Sequence, residues 1–288
     1  MTYDRLLNEK AENLTPSQKK LLNYILTNDE EAVFLTIQNL ANRVNVSVAT
    51  VVRLAKALGY AGFPEFQQEL RTLFRDKLTT ISRLQKAAKK ETSEENILVK
   101  IFQQDIENIA ETMKQVSVDG FRNFVKSLNS ARRIVIIGLR SAHSLAVLMG
   151  VALEFLHRDV WIVTPGIGDM WDRMFLLKKG DVVVGISFPR YTRETVQALA
   201  FAKSRQVRTL AITDSLISPL AQHADVVLTA RCKMDSFVES FTAPLSLINA
   251  IVTAVGVSRK DSTMMALKRL ENFWHSQKIY FDKETAMA

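Results

Sequence analysis

The strongest constraint on this chain lies beyond Ala131, where short runs of β-branched and apolar residues recur between segments of helical length. The runs cover residues 134–137, 160–163, 182–186, 209–213 and 226–228. They are apolar throughout rather than alternating, so both faces of each strand must be buried. Interleaved with helices, such strands form a parallel sheet covered on both sides, a doubly wound α/β fold. Ligands in these folds sit at the carboxyl ends of the strands. The segments that follow Ile137 and Ile186 are therefore the candidate ligand loops.

Residues 15–75 have a different texture. Apolar residues recur there at helical spacing, nothing alternates as a strand would, and capping and turn residues cluster at 28–31, 45–47 and 59–64. A chain of 288 residues can fill two cores. Between the two textures, residues 77–95 turn polar and charged through KKETSEE. We expect a helical domain over 1–77, a linker over 78–95 and an α/β domain over 96–288. The first segment of the latter, 97–116, is an amphipathic helix through Ile97, Ile101, Ile106, Ile109 and Met113. It can pack on its own domain or on a partner chain, and a core-facing helix is the simpler expectation.

Within the helical domain, 36–44 and 47–58 read as two short helices joined at Asn45 and Val46, with Ser47 as N-cap of the second. Ala41, Val51, Leu54 and Leu58 supply the small crossing residue and the core-facing positions of a helix-turn-helix. The opposite face carries Ser47, Ala49, Thr50, Arg53 and Lys56, with Arg43 on the preceding helix. Short residues permit close approach to base edges, and the cations can reach phosphates or a guanine. No Asp or Glu occurs between Glu31 and Glu65, which suits a phosphate-facing surface. Asn45 stands where many such turns use glycine, and Asn tolerates left-handed backbone angles. A helical interaction module with no DNA partner would share the two helices.

The formal charge of +8 agrees with a polyanion partner without naming it. Cys232 is the only cysteine, so no intramolecular disulfide can form, and His143, His157, His223 and His275 lack zinc-ligand spacing. Nothing calls for a metal or a cofactor. The polar start, MTYDRLLNEKAE, and the brevity of the most apolar stretch, 142–156, lead us to expect a soluble cytoplasmic protein with no membrane partner.

Residues 14–70, LTPSQKKLLNYILTNDEEAVFLTIQNLANRVNVSVATVVRLAKALGYAGFPEFQQEL, resemble the amino-terminal domain of RpiR-type transcription regulators. The likeness includes Gly59, Tyr60, Gly62, Phe63, Glu65 and Phe66. It implies a DNA-binding dimer with a sugar isomerase (SIS) domain behind the linker, in agreement with the α/β pattern. SIS domains are similar to one another in two strand-end loops, G-x-G-x-S and S-x-S-G-x-T, which hold a sugar phosphate with hydroxyls and helix N–H groups. The corresponding segments here are GLRSAHS, 138–144, and SFPRYTRET, 187–195. Gly138, Ser187, Thr192, Glu194 and Thr195 fall in register. Arg140 replaces the second glycine of the first loop, Ala142 its serine, and Pro189-Arg190 stands where Ser-Gly is usual.

A Gly to Arg change removes a close backbone approach and adds a long cation. Arg140 and Arg190 could clamp a carboxylate or phosphate by bidentate hydrogen bonds, or they could pair with a local acid such as Glu194 or face solvent. Ser141, Ser144, Ser187 and Thr192 are candidate ligand contacts, or plain helix caps. The segment 235–257 begins polar and becomes a long apolar helix, with Glu239 and Ser240 expected in its first turn. Glu239 there either closes the pocket or serves the helix dipole.

These readings lead to a regulator whose binding to a double-stranded DNA operator is modulated by a small anionic effector, a phosphosugar or a carboxylate. It is expected to be no enzyme and to work as a homodimer or homotetramer. The competing readings are a sugar-phosphate isomerase carrying a helical appendage, for which Glu194, Glu239 and His143 are the nominal acid–base groups, and a structural DNA-binding dimer.

Overall fold

The computed structural model describes residues 14–28, 32–77, 80–81, 84–85, 93–156, 159–164, 166, 170–216, 218–234 and 236–280. The chain divides into two compact units, one of residues 1–102 with 217–219 and 234–239, the other of 103–216, 220–233 and 240–288. Most of the segment expected as a linker, 78–95, lies outside the described residues, as does His157.

The helical unit contains α1 (Pro16–Thr27), α2 (Ile37–Val44), α3 (Val48–Ala57) and α4 (Phe63–Lys77). Thr15 and Gln18 start α1 with a reciprocal capping box, and Pro16 occupies the first turn, where no backbone partner is lost. Leu21, Ile25, Leu40, Val51, Leu54, Ala55, Leu58 and Phe66 form its core. The α3 members recur at helical spacing, so one stripe of α3 is committed inward and the other is left to solvent. Between α2 and α3, Asn45 adopts φ 57° and ψ 55°. The Asn45 N–H donates to the Asn42 carbonyl at 3.1 Å and the Val46 N–H to the Ala41 carbonyl at 2.9 Å. This pair of bonds is a Schellman closure, which turns the chain sharply enough for Ser47 to start α3.

The other unit is built on a five-stranded, wholly parallel sheet: β1 (Ile134–Ile137), β2 (Val160–Ile162), β3 (Val182–Ile186), β4 (Arg208–Thr213) and β5 (Val226–Thr229), in the order β2-β1-β3-β4-β5. Its helices are α5 (Glu94–Gln115, which begins in the first unit), α6 (Val118–Ser130), α7 (His143–Glu154), α8 (Met170–Phe175), α9 (Arg193–Ser204), α10 (Thr242–Ser258) and α11 (Lys260–Ser276). The pleat sends Ile134, Ile136, Val182, Val184, Leu210 and Ile212 into a core with α6, α7 and α10. It sends Val135, Ile137, Val183 and Ala211 into a second core with α8 and α9. The runs are apolar throughout because each strand serves two cores. Cys232 is a buried member of the first core.

Two expectations change. Helix α5 does not bury its apolar residues: Ile97, Ile106, Ile109 and Met113 are exposed, and Ile101 is half-buried. Its docked face is polar instead. The Asn108 amide donates to the Lys233 carbonyl at 2.6 Å, and the Thr112 hydroxyl accepts from the Arg231 N–H at 2.9 Å. The second change concerns α10, which starts only at Thr242. Both the Ser240 hydroxyl and the Thr242 hydroxyl donate to the Asp105 carboxylate, and the Ser240 N–H is held by the Cys232 carbonyl at 3.2 Å. Ser240 is thereby kept in the loop, so neither it nor Glu239 is in the first helical turn. No single described helix is long and apolar enough to cross a membrane.

The left-handed turn is the local feature on which the α2–α3 geometry depends. Asn45→Gly should leave the stability of the helical unit unchanged or raise it, whereas Asn45→Val should lower it by roughly 1–2 kcal/mol, the cost of a side chain in this region. Denaturant titration followed by circular dichroism reads both; equal midpoints for the two variants would show that the turn is not under this constraint.

Candidate functional site

Helix α3 is presented as its sequence requires. Arg43, Ser47, Ala49, Arg53 and Lys56 are exposed and Thr50 is half-buried, while Ala41, Val51, Leu54 and Leu58 are buried behind them. The Ser47 Oγ accepts from the Thr50 N–H at 3.1 Å and lies 2.9 Å from the Thr50 hydroxyl. Ser47 is thus a working N-cap, and its hydroxyl is already partly engaged. Arg53 donates its Nε–H to the Ala49 carbonyl at 3.2 Å, which uses one of the five guanidinium N–H groups and lays the side chain back along the helix. The exposed face is small at its amino end, cationic further along, and free of carboxylates over 32–64. Such a surface can approach a base edge closely and contact phosphates on either side.

The second candidate site is at the carboxyl edge of the sheet. Strands β1 and β3 are hydrogen-bonded neighbours, and the order β2-β1-β3 reverses direction between them. This is the topological switch point, where the loops leaving two adjacent strands diverge and open a crevice. Gly138 ends β1. A Cβ there would stand 2.7 Å from the Ala142 carbonyl oxygen, so only glycine lets the loop fold back so tightly. Arg140 follows with φ 57°, at the head of a 3-10 turn over Arg140–Ala142 that leads into α7. The loop after β3 has the same device: Arg190 has φ 65°. Both arginines are exposed, and neither forms an ion pair among the described residues, so the local pairing with Glu194 that the sequence allowed is not made. Their left-handed backbone keeps the shape that the replaced glycines would give, at a cost on the order of 1–2 kcal/mol each.

The hydroxyls divide into two kinds. Ser187 is buried, and its Oγ accepts from the Thr192 N–H at 3.3 Å, which closes the second loop on itself. Thr192 is the N-cap of α9 by position, yet its side chain makes no capping bond. Ser141 and Ser144 are exposed; the Ser144 hydroxyl donates to the Ser141 carbonyl at 2.9 Å, and Ala142, not a serine, precedes α7. The His143 Nδ1 is 3.1 Å from the Gly138 carbonyl oxygen. Arg140, Ser141, Ser144, Ser187, Arg190 and Thr192 are therefore brought to one edge of one sheet. Glu239 lies in the loop before α10 rather than in its first turn.

Sequence reasoning missed a polar pair at this edge. The Tyr191 hydroxyl donates to both carboxylate oxygens of Asp214, at 2.8 and 3.1 Å, and the Thr213 hydroxyl donates to the same group at 3.1 Å. Burial pushes the Asp214 carboxyl above the usual aspartate value, with the Tyr191 hydrogen bond the main opposing effect. Asp214 immediately follows β4, at the carboxyl end of a strand that only the sheet order places next to β3.

Residues 1–77 match the family model of the rpiR-family helix-turn-helix domain, and residues 127–254 match that of the SIS domain. An uncharacterised HTH-type transcriptional regulator of Haemophilus influenzae is 28% identical over 220 residues, 75% of either chain. The HTH-type transcriptional regulator HexR of Escherichia coli is 25% identical over 284 residues, 96% of this chain and 95% of that one. The sugar isomerase domain of an RpiR transcription factor from Sphaerobacter thermophilus shares 28% identity with a TM-score of 0.59, covering 61% of this chain and 98% of its own. The fold also matches that of the NanR protein of Vibrio vulnificus, complexed with ManNAc-6P, at 20% identity and a TM-score of 0.65 over 94% of this chain and 98% of that one. With a helix-turn-helix set on a left-handed turn and a parallel sheet of SIS type later in the sequence, the chain carries an rpiR-family helix-turn-helix domain followed by a SIS domain.

Proposed function

We propose that α3 enters the major groove of a DNA operator, and that a small anionic metabolite bound at the carboxyl ends of β1 and β3 modulates that binding. The observation that carries the effector half is the pair Arg140 and Arg190, exposed, without acidic partners among the described residues, and held in left-handed conformations at neighbouring strand ends. Backbone strain kept at two adjacent loops is a mark of a binding site, and guanidinium groups recognise carboxylate or phosphate oxygens in pairs. A phosphosugar is the first class to test, since a solved protein of the same fold holds ManNAc-6P. Small carboxylates are the second. In this reading residues 1–77 read DNA, 78–95 connect, and 96–288 sense the effector, in a cytoplasmic homodimer or homotetramer. Effector binding would act by its differential affinity for two arrangements of paired DNA heads.

The isomerase reading has less support. Isomerisation needs a general base and a carbonyl-polarising group held together over one substrate. Glu194 is an exposed first-turn residue of α9, Glu239 lies in the loop before α10, and the His143 Nδ1 is at hydrogen-bond distance from its own loop carbonyl.

Three outcomes test the proposal. Footprinting on fragments of the protein's own locus should give discrete protection that a phosphosugar or a small carboxylate alters; turnover of a phosphosugar without discrete protection would sink the regulator reading. Arg53→Ala with Lys56→Ala should weaken DNA binding at all sequences and reduce the slope of log affinity against log salt by about 2, one unit for each lost phosphate contact. An unchanged slope removes α3 as the reader. Arg140→Gly and Arg190→Gly should each abolish the effector response while leaving DNA affinity intact and thermal stability equal or up to about 1 kcal/mol higher, because glycine relieves the left-handed strain. Arg140→Ala should lose the response without that gain. A full effector response in both glycine variants would show that neither cation contacts the ligand.

A further inference from the structure

Strand β5 is an edge of the sheet, and the four residues that follow it are bonded one after another to different elements. The Ala230 N–H donates to the Thr213 carbonyl at the end of β4, at 2.8 Å. The Arg231 N–H donates to the Thr112 hydroxyl of α5 at 2.9 Å. The Cys232 carbonyl accepts from the Ser240 N–H at 3.2 Å, and Asp105 of α5 accepts from the Ser240 hydroxyl. The Lys233 carbonyl accepts from the Asn108 amide of α5 at 2.6 Å. The two direct links to α5 match in spacing, since two residues of extended chain and four residues of helix each advance about 6–7 Å. Helix α5 thus takes backbone groups that an edge strand would otherwise leave open. Asn108, Thr112 and Ser240 are buried, so a shift of α5 against 230–233 would leave polar groups unpaired away from water.

The same four residues are joined to the loop after β3. Tyr191 stands between Arg190 and Thr192, and its hydroxyl donates to Asp214. The Thr213 hydroxyl donates to Asp214 too, while the Thr213 carbonyl holds Ala230. Burial raises the Asp214 carboxyl, and the Arg231 charge acts with the Tyr191 hydrogen bond against that rise. The Lys114 hydrogen bond lowers the Glu111 carboxyl on α5, and the Arg231 charge adds to it. Arg231 therefore interacts with an acid on either side of the junction. We propose that residues 230–233 couple the loop after β3 to α5, with Tyr191, Asp214 and Thr112 as positioning residues. A change in the set of the Arg190 loop passes through Asp214 and the end of β5 to α5. The coupling rests on the effector reading for what moves that loop. It gives the response a path, because the chain runs from the helix-turn-helix into α5 before it reaches the sheet. All of these links lie within one compact unit and are contiguous.

The test is hydrogen–deuterium exchange of the full-length protein without effector, read by mass spectrometry on peptides of α5, of the loop after β3 and of α7. Tyr191→Phe keeps the ring and loses the hydroxyl. It should raise exchange over 105–115 several-fold and leave 143–154 at the wild-type rate. Coupling is reciprocal, so Thr112→Val should raise exchange over 187–196, and Thr112→Ser, which keeps the accepting oxygen, should restore the wild-type rates. An unchanged α5 rate in Tyr191→Phe would overturn the coupling. So would an equal rise over α5 and α7, which marks general loosening, or equal effects of Thr112→Val and Thr112→Ser. Should Tyr191→Phe lose the wild-type circular dichroism spectrum, Asp214→Asn takes its place with the same outcomes expected. Exchange is read without ligand, so a metabolite panel that leaves the footprint unaltered removes the effector reading, while an α5 rate that follows Tyr191 still upholds the coupling.

Discussion

The pleat of five parallel strands commits alternate residues to two separate apolar cores, and the positions at the carboxyl edge follow from that commitment. With β1 and β3 buried on both faces, the loops that leave them cannot lie across the sheet. They can only emerge at its end, and the reversal of order between β1 and β3 fixes which end loops diverge. The candidate site is thus positioned by packing before any polar residue contributes. At the opposite edge Asp181 plays a complementary part, tying Arg132 by an ion pair of 2.6 Å and the Lys178 N–H by a hydrogen bond of 2.8 Å, which anchors the entry of β3 against that of β1.

Periodicity made the strands legible, because a doubly buried strand has no polar positions to confuse the pattern. The α2–α3 turn was legible for a different reason: Asn45 is one of the few residues that accept φ 57°, and Ser47 two residues later is a strong cap. Amphipathicity misled at α5. The sequence shows that an apolar stripe exists but not which stripe docks, and here the docking contacts are Asn108, Thr112 and Asp105. The start of α10 was hidden likewise, since the partner that holds Ser240 out of the helix lies 135 residues earlier in the chain. Tyr191 and Asp214 show the same limit: each is ordinary in its local sequence, and only the pairing of β3 with β4 makes them neighbours.

Buried polar contacts of this kind tend to fix geometry more than they add stability. Asp105 takes two hydroxyl donors, and Asp214 takes two as well. Each ties a loop at one end of the sheet domain to an element distant in sequence. The raised pKa of Asp214 is the sign that this arrangement works against solvation of the charge.

Arg140 and Arg190 already have the left-handed backbone that glycine adopts without strain. Glycine at either position would keep the path of the loop and release the left-handed strain, so the two guanidinium groups are separable from the backbone that carries them. Two substitutions would therefore exchange two exposed cations for bare backbone at neighbouring strand ends, with no loop to rebuild in between.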